Sequence, residues 1–186
     1  MILKLSCLFP SGRKYRLSKG FTLIEALVVS GIIITMLALV LPDFRMGERQ
    51  FALRRSASKL VQDLRRAQGL SMSAASSYCP EGQRLNGYGL ILESSAPNNT
   101  FYKLFAKCVN GVNVYSEKEK IILEKKVKIK ELRRDGSLVS TLLIFFYPPD
   151  PQTDLGGGAS EARITLTSFE SDLTVKVNKA GLINVE

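Results

Sequence analysis

The sequence predicts an α+β protein: one long amino-terminal helix, membrane-spanning in its first half, packed on a carboxy-terminal antiparallel β-sheet domain. Three observations predict it. Residues 21–41 form a 21-residue apolar run in which Glu25 is the only charge, about the length that crosses a ~30 Å hydrocarbon core as a helix. Beyond it, Leu53, Ala57, Leu60, Leu64, Ala67, Ser71 and Ala74 recur at spacings of four and three, the signature of one face of an amphipathic helix. From Tyr88 onward the chain alternates short β-prone runs with turn residues, as antiparallel strands do.

Taken in order, the helix is expected from residue 21 to about residue 76. Ser30 and Gly31 interrupt the apolar run without breaking it. Pro42 lacks a backbone donor and should loosen the helix, and Gly47 adds a second soft point. Arg54, Arg55, Lys59, Asp63, Arg65 and Arg66 fall largely off the apolar stripe and read as a solvated face. A loop follows at residues 76–82. Strands are expected at 88–93 and 100–109, with a turn at 96–99. Asn110-Gly111 is a turn signal. A strand is read at 121–123, and Val127 and Ile129 alternate with Lys126, Lys128 and Lys130 in another with one solvated face. Asp135-Gly136 is a turn. Residues 138–147 are almost continuously apolar and read as a central strand, ended by Pro148, Pro149 and Pro151. Residues 152–160 are a glycine-rich loop. Strands at 163–169, 173–177 and 182–185 complete one sheet that covers the helix stripe.

Composition excludes more than it identifies. The chain has 186 residues and a formal charge of +9. One globular domain beside the apolar segment fits that length. Five of the cations, Lys4, Arg13, Lys14, Arg16 and Lys19, lie in the first 20 residues, where there is no acid. The basic balance is therefore no nucleic-acid footprint by itself. With no histidine, neither a Ser-His-Asp nor a Cys-His nucleophile can be built. Without histidine or a CxxC pair, a zinc site is excluded in practice. Gly156-Gly157-Gly158 lacks the lysine and hydroxyl residue of a phosphate-binding P-loop. No enzyme, metal or cofactor is expected. Asn98-Asn99-Thr100 matches a glycosylation sequon or a hairpin turn.

The flank of the apolar run is more specific. Lys19-Gly20 precedes Phe21, and the only carboxylate of the run, Glu25, sits at its fifth position. This pattern resembles the type IV prepilin signal, shared by type IV pilins and the pseudopilins of type II secretion. The resemblance implies cleavage by prepilin peptidase between Gly20 and Phe21, N-methylation of Phe21, and an assembly role for Glu25. It implies a leader at 1–20, a transmembrane or filament-core helix at 21–41, an amphipathic continuation at 42–76 and a sheet domain at 77–186. Pro42 falls where such proteins often carry a helix-loosening proline. Residues 60–68, the Gly87-Tyr88-Gly89 strand entry and residues 177–183 are similar to the H-type minor pseudopilins and related minor pilins.

Lys/Arg asymmetry does not set orientation, since Arg45, Arg49, Arg54, Arg55 and Lys59 follow the run as closely as the leader cations precede it. Orientation rests on the resemblance, which implies a single-pass inner-membrane protein with its carboxy-terminal domain outside the cytoplasm, later part of an extracytoplasmic filament. Implied partners are other pilin or pseudopilin subunits, the peptidase/methyltransferase, the inner-membrane assembly platform and the membrane. Loss of Cys7 with the leader leaves Cys79 and Cys108, either bridged outside the cytoplasm or two buried thiols. Two roles stay open: a minor structural subunit, or a tip subunit that binds DNA or a secreted substrate. A plain anchored domain is the third reading, against which the Gly20-to-Glu25 pattern argues.

Overall fold

A computed structural model describes residues 20–73, 79, 82–110, 112–148, 152–169 and 171–186. The chain divides into two compact units, one ending at Pro42 and the other beginning at Asp43. One helix, α1 (Leu23–Met72), contributes to both. The expected continuation of the helix to about residue 76 falls on residues 74–78, which lie outside the described residues.

In the second unit α1 buries the expected stripe. Leu53, Ala57, Leu60, Leu64, Ala67 and Ser71 are all at most 2% exposed. Ten strands follow among the described residues: β1 (Arg84–Glu93), β2 (Phe101–Asn110), β3 (Val112–Ile122), β4 (Lys128–Arg134), β5 (Ser137–Val139), β6 (Thr141–Phe146), β7 (Thr153–Asp154), β8 (Glu161–Ser168), β9 (Ser171–Asn178) and β10 (Ile183–Val185). They form two five-stranded sheets rather than the single sheet expected. Their orders are β3-β2-β1-β6-β7 and β10-β9-β8-β4-β5, and every pairing is antiparallel.

The second sheet arises where sequence suggested an unbroken strand. The apolar run 138–147 divides at Ser140, whose carbonyl accepts both the backbone N–H and the hydroxyl of Ser94. Before it, β5 is an edge strand paired with β4; after it, β6 lies between β1 and β7. Two further differences are β7, which falls in the stretch 152–160 read as a loop, and β3. Of β3 only the end was expected, because Ser116, Glu117, Lys118, Glu119 and Lys120 carry no apolar alternation. As an edge strand, β3 takes its order from pairing with β2 rather than from burial.

One core joins the three layers. Leu60 and Leu64 of α1, Leu90, Leu104 and Ile144 of the first sheet, and Leu132, Ile164 and Val177 of the second belong to a single buried cluster. Three polar side chains on α1 fasten it to the strands and loops. Ser56 accepts the Glu124 N–H at 3.3 Å, Asp63 accepts the Tyr102 hydroxyl at 2.6 Å, and Ser71 accepts the Tyr88 N–H at 2.9 Å. Asp63 thus leaves the solvated face assigned to it and is only 8% exposed. A carboxylate is tolerated there because the phenol supplies a charge-assisted hydrogen bond.

The outer face of the first sheet carries a second, smaller packing layer. Phe105 and Phe145 lie 5.9 Å apart across β1, and Tyr147 meets Phe145 edge-on at 4.5 Å. They cover Gly89, where an added Cβ would sit 2.5 Å from the Ile144 carbonyl oxygen and 2.8 Å from the Phe105 ring. Gly87, at φ 151°, is tighter still, 2.1 Å from the Phe146 carbonyl oxygen. Glycine at both positions makes room for the rings, which restore the contacts a side chain would have made.

Gly89→Ala should therefore lower stability by about 1–3 kcal/mol, the range for overpacking a well-filled site, read as a reduced urea midpoint. Tyr102→Phe should cost roughly 1–3 kcal/mol, because it strands the Asp63 carboxylate. Adding Asp63→Leu should recover part of that loss, a coupling that a double-mutant cycle measures.

Burial, then the Asp63 bond, raises the Tyr102 phenol well above its ordinary value of 10.0. A raised folded-state value means stability is fully present below pH ~10 and falls as pH climbs beyond it. Wild-type urea midpoints should drop above pH ~10, and Tyr102→Phe should lose part of that slope.

Candidate functional site

Gly20 and Phe21 precede the helix, and Phe21 is 81% exposed. Thr22 then caps α1: its Oγ1 accepts the Glu25 N–H at 3.3 Å and its carbonyl accepts the Ala26 N–H at 3.1 Å. Thr22-Leu23-Ile24-Glu25 has the spacing of a capping box, a hydroxyl at the cap and a carboxylate three residues on. Glu25 lies in the first turn, where the helix dipole favours negative charge. Thr22 had a legible signal, the T-x-x-E spacing, but the apolar run drew the reading away from it.

From Leu23 to Leu39 every described side chain of α1 is exposed, with Leu23 at 83% and Leu39 at 79%. Two hydroxyls in this stretch are satisfied on the helix itself. Ser30 Oγ donates to the Ala26 carbonyl at 2.7 Å, and Thr35 Oγ1 to the Ile32 carbonyl at 2.8 Å. Such bonds leave Glu25 as the charged side chain on an otherwise largely apolar surface. Among the described residues no helix is long and apolar enough to cross a membrane. The described side chains of the run end at Leu39, and those of residues 40–46 lie outside the described set, Pro42 included. The backbone of α1 is helical through Pro42 and Gly47. A Cβ at Gly47 would meet nothing within 4 Å, so crowding does not demand glycine there.

In the domain, Cys79 and Cys108 form a disulfide, with Cα atoms 5.7 Å apart. It ties the chain leaving α1 to β2, where Cys108 is fully buried. The arginines of α1 are not simply solvated. Arg55 makes a bidentate pair with Glu124, both bonds at 2.7 Å, and Arg66 bonds Glu119 at 3.0 Å. The Arg55 bond holds the Glu124 carboxyl below its usual range. Both acids lie in the same chain, Glu124 before β4 and Glu119 in β3. Exposed pairs of this kind add little stability.

The Asp135 carboxylate is held below its usual range first by the Ser160 hydroxyl and then by the Glu161 N–H, which pins a turn. Among the described residues no group of three or more His, Cys, Asp or Glu could hold a metal ion. The Asn98-Asn99-Thr100 sequon forms a short 3-10 turn after a cis Ala96–Pro97 bond. Gly156, Gly157 and Gly158 all have positive φ and lie in the loop between β7 and β8.

No family model, curated protein or solved structure matches this chain.

The bridge closes a loop with a sequence separation of 29, for which the chain-entropy relation gives about 3–4 kcal/mol. Replacing both cysteines by serine should lower the unfolding midpoint correspondingly, and added reductant should leave that double variant unchanged.

Proposed function

We propose that this chain is a minor structural subunit of a type IV pilus or type II secretion pseudopilus. It is made as a membrane-anchored precursor, cut by prepilin peptidase between Gly20 and Phe21, N-methylated on Phe21, and passed by an inner-membrane assembly platform into a filament. The observation that carries this reading is the junction at the head of α1. A capped helix starts immediately after the exposed Gly20-Phe21 pair and, past Glu25 in its first turn, presents a largely apolar surface up to Leu39. From Asp43 on, the chain is a second compact unit that carries a disulfide.

An apolar helix of this kind is stable in hydrocarbon or against other apolar helices. A filament core built from equivalent helices supplies the second. Glu25 fits that passage. A carboxylate in a bilayer is costly, about 2.5–3.5 kcal/mol for Asp at the helix centre, but a first-turn position lowers the cost. Cleavage creates a positive amine on Phe21, and methylation keeps its charge. Glu25 of an incoming subunit would neutralise that amine on a subunit already in place, setting axial register.

The processed protein should carry a methylated Phe21 amino terminus by mass spectrometry. A bulky residue at position 20 should leave uncut precursor, and an amino terminus elsewhere rejects the proposal. Glu25→Ala and Glu25→Gln should both be inserted and cleaved normally yet enter filaments about tenfold less, the effect of losing ~1.4 kcal/mol of pairing. Incorporation equal to wild type, in cells with no wild-type copy, would count against charge pairing.

A further inference from the structure

We infer that the cleft lined by Arg49, Lys126, Lys128, Thr167 and Phe169 seats the phosphodiester headgroup of an anionic phospholipid. The inference rests on the membrane-anchored reading above. The cleft is open and about 460 Å³ in volume, within the size range of small-ligand sites. It converges from three separate segments: α1 supplies Arg49, the turn before β4 and the start of β4 supply Lys126 and Lys128, and the end of β8 supplies Thr167 and Phe169. Among the described residues its lining has three cations, one hydroxyl and one aromatic ring. One acid adjoins it: Asp172 hydrogen-bonds the Thr167 hydroxyl, and its charge is met by the ion pair with Lys130.

Two turns form the rim. Lys126 and Phe169 are both non-glycine residues at left-handed φ, 71° and 62°. Each value belongs to its turn: the Val127 N–H closes on the Glu124 carbonyl around Lys126, and Phe169 follows Ser168, whose pairing with Ser171 closes the β8–β9 hairpin. The second turn presents Phe169 to solvent at 76% exposure, and the Arg49 guanidinium lies 4.5 Å from its ring centre. A ring with a cation stacked on it, beside two lysines, matches a bilayer interface, where aromatics sit at headgroup level and cations meet phosphate.

Chain position favours a lipid over a second protein. Arg49 comes only about two helical turns after Leu41, the end of the apolar run. A subunit interface would be flatter and more apolar at its centre. In the precursor, such a contact would hold the domain on the bilayer surface, and extraction into a filament would release it.

The test uses the full chain in nanodiscs of phosphatidylcholine, with or without phosphatidylglycerol, and amine labelling read by mass spectrometry. Lys179 is the internal reference, because β8–β9 register places it at the opposite end of the second sheet from Phe169. Lys126 and Lys128 should label about threefold more slowly in the anionic discs, with Lys179 unchanged, and Arg49→Gln should narrow the difference. Equal labelling in the two discs overturns the lipid contact alone. So does protection by inorganic phosphate in phosphatidylcholine discs, which would mark a soluble-anion site. Protection that follows the number of copies per disc marks a contact between copies and overturns it as well. Failure to enter either disc overturns the anchored reading and this inference together.

Discussion

Asp63 is bonded to Tyr102 inside the core, and that bond decides which face of α1 meets the strands. Ser56, Asp63 and Ser71 are spaced at seven and eight residues, so they lie along one side of the helix. Each has a named partner in the strands or loops. An apolar stripe of leucines and alanines alone would tolerate a helix slid by a turn or rotated slightly. Buried polar groups do not, since each lost partner leaves a desolvated atom unsatisfied. The two sheets, the disulfide at β2 and the Arg55–Glu124 pair all depend on that one helix orientation.

Much of this was legible in the sequence. The stripe from Leu53 to Ser71 and the turn at Asp135-Gly136 read correctly because periodicity and turn chemistry are local signals. Three features were not legible, each for its own reason. Asp63 looks like a surface residue until Tyr102, far along the chain, is brought to it. β3 lacks alternation because an edge strand with an exposed face needs none. The apolar run around Ser140 reads as one strand because composition cannot show that Ser94 captures the Ser140 carbonyl and redirects the chain into another sheet.

The candidate functional residues divide the same way. Gly20, Phe21 and Glu25 fall within six consecutive residues, and their pattern is visible without a fold. Thr22 completes the first turn and was readable from spacing alone. The pairing of Cys79 with Cys108 rested on an even count after removal of the leader, while the alternative of two free thiols needed coordinates to set aside. The basic cleft was not readable at all, because Arg49, Lys126 and Phe169 come from segments with no sequence relation to one another.

The sheet edges have a consequence for crowding. β5, β7 and β10 are two or three residues long, and the remaining edge, β3, carries alternating acids and lysines through its middle. Short or charged edges are poor templates for strand addition by another chain. Copies of this domain packed at high local density would therefore resist runaway β-polymerisation. Cohesion between copies would then have to come from surfaces other than these edges.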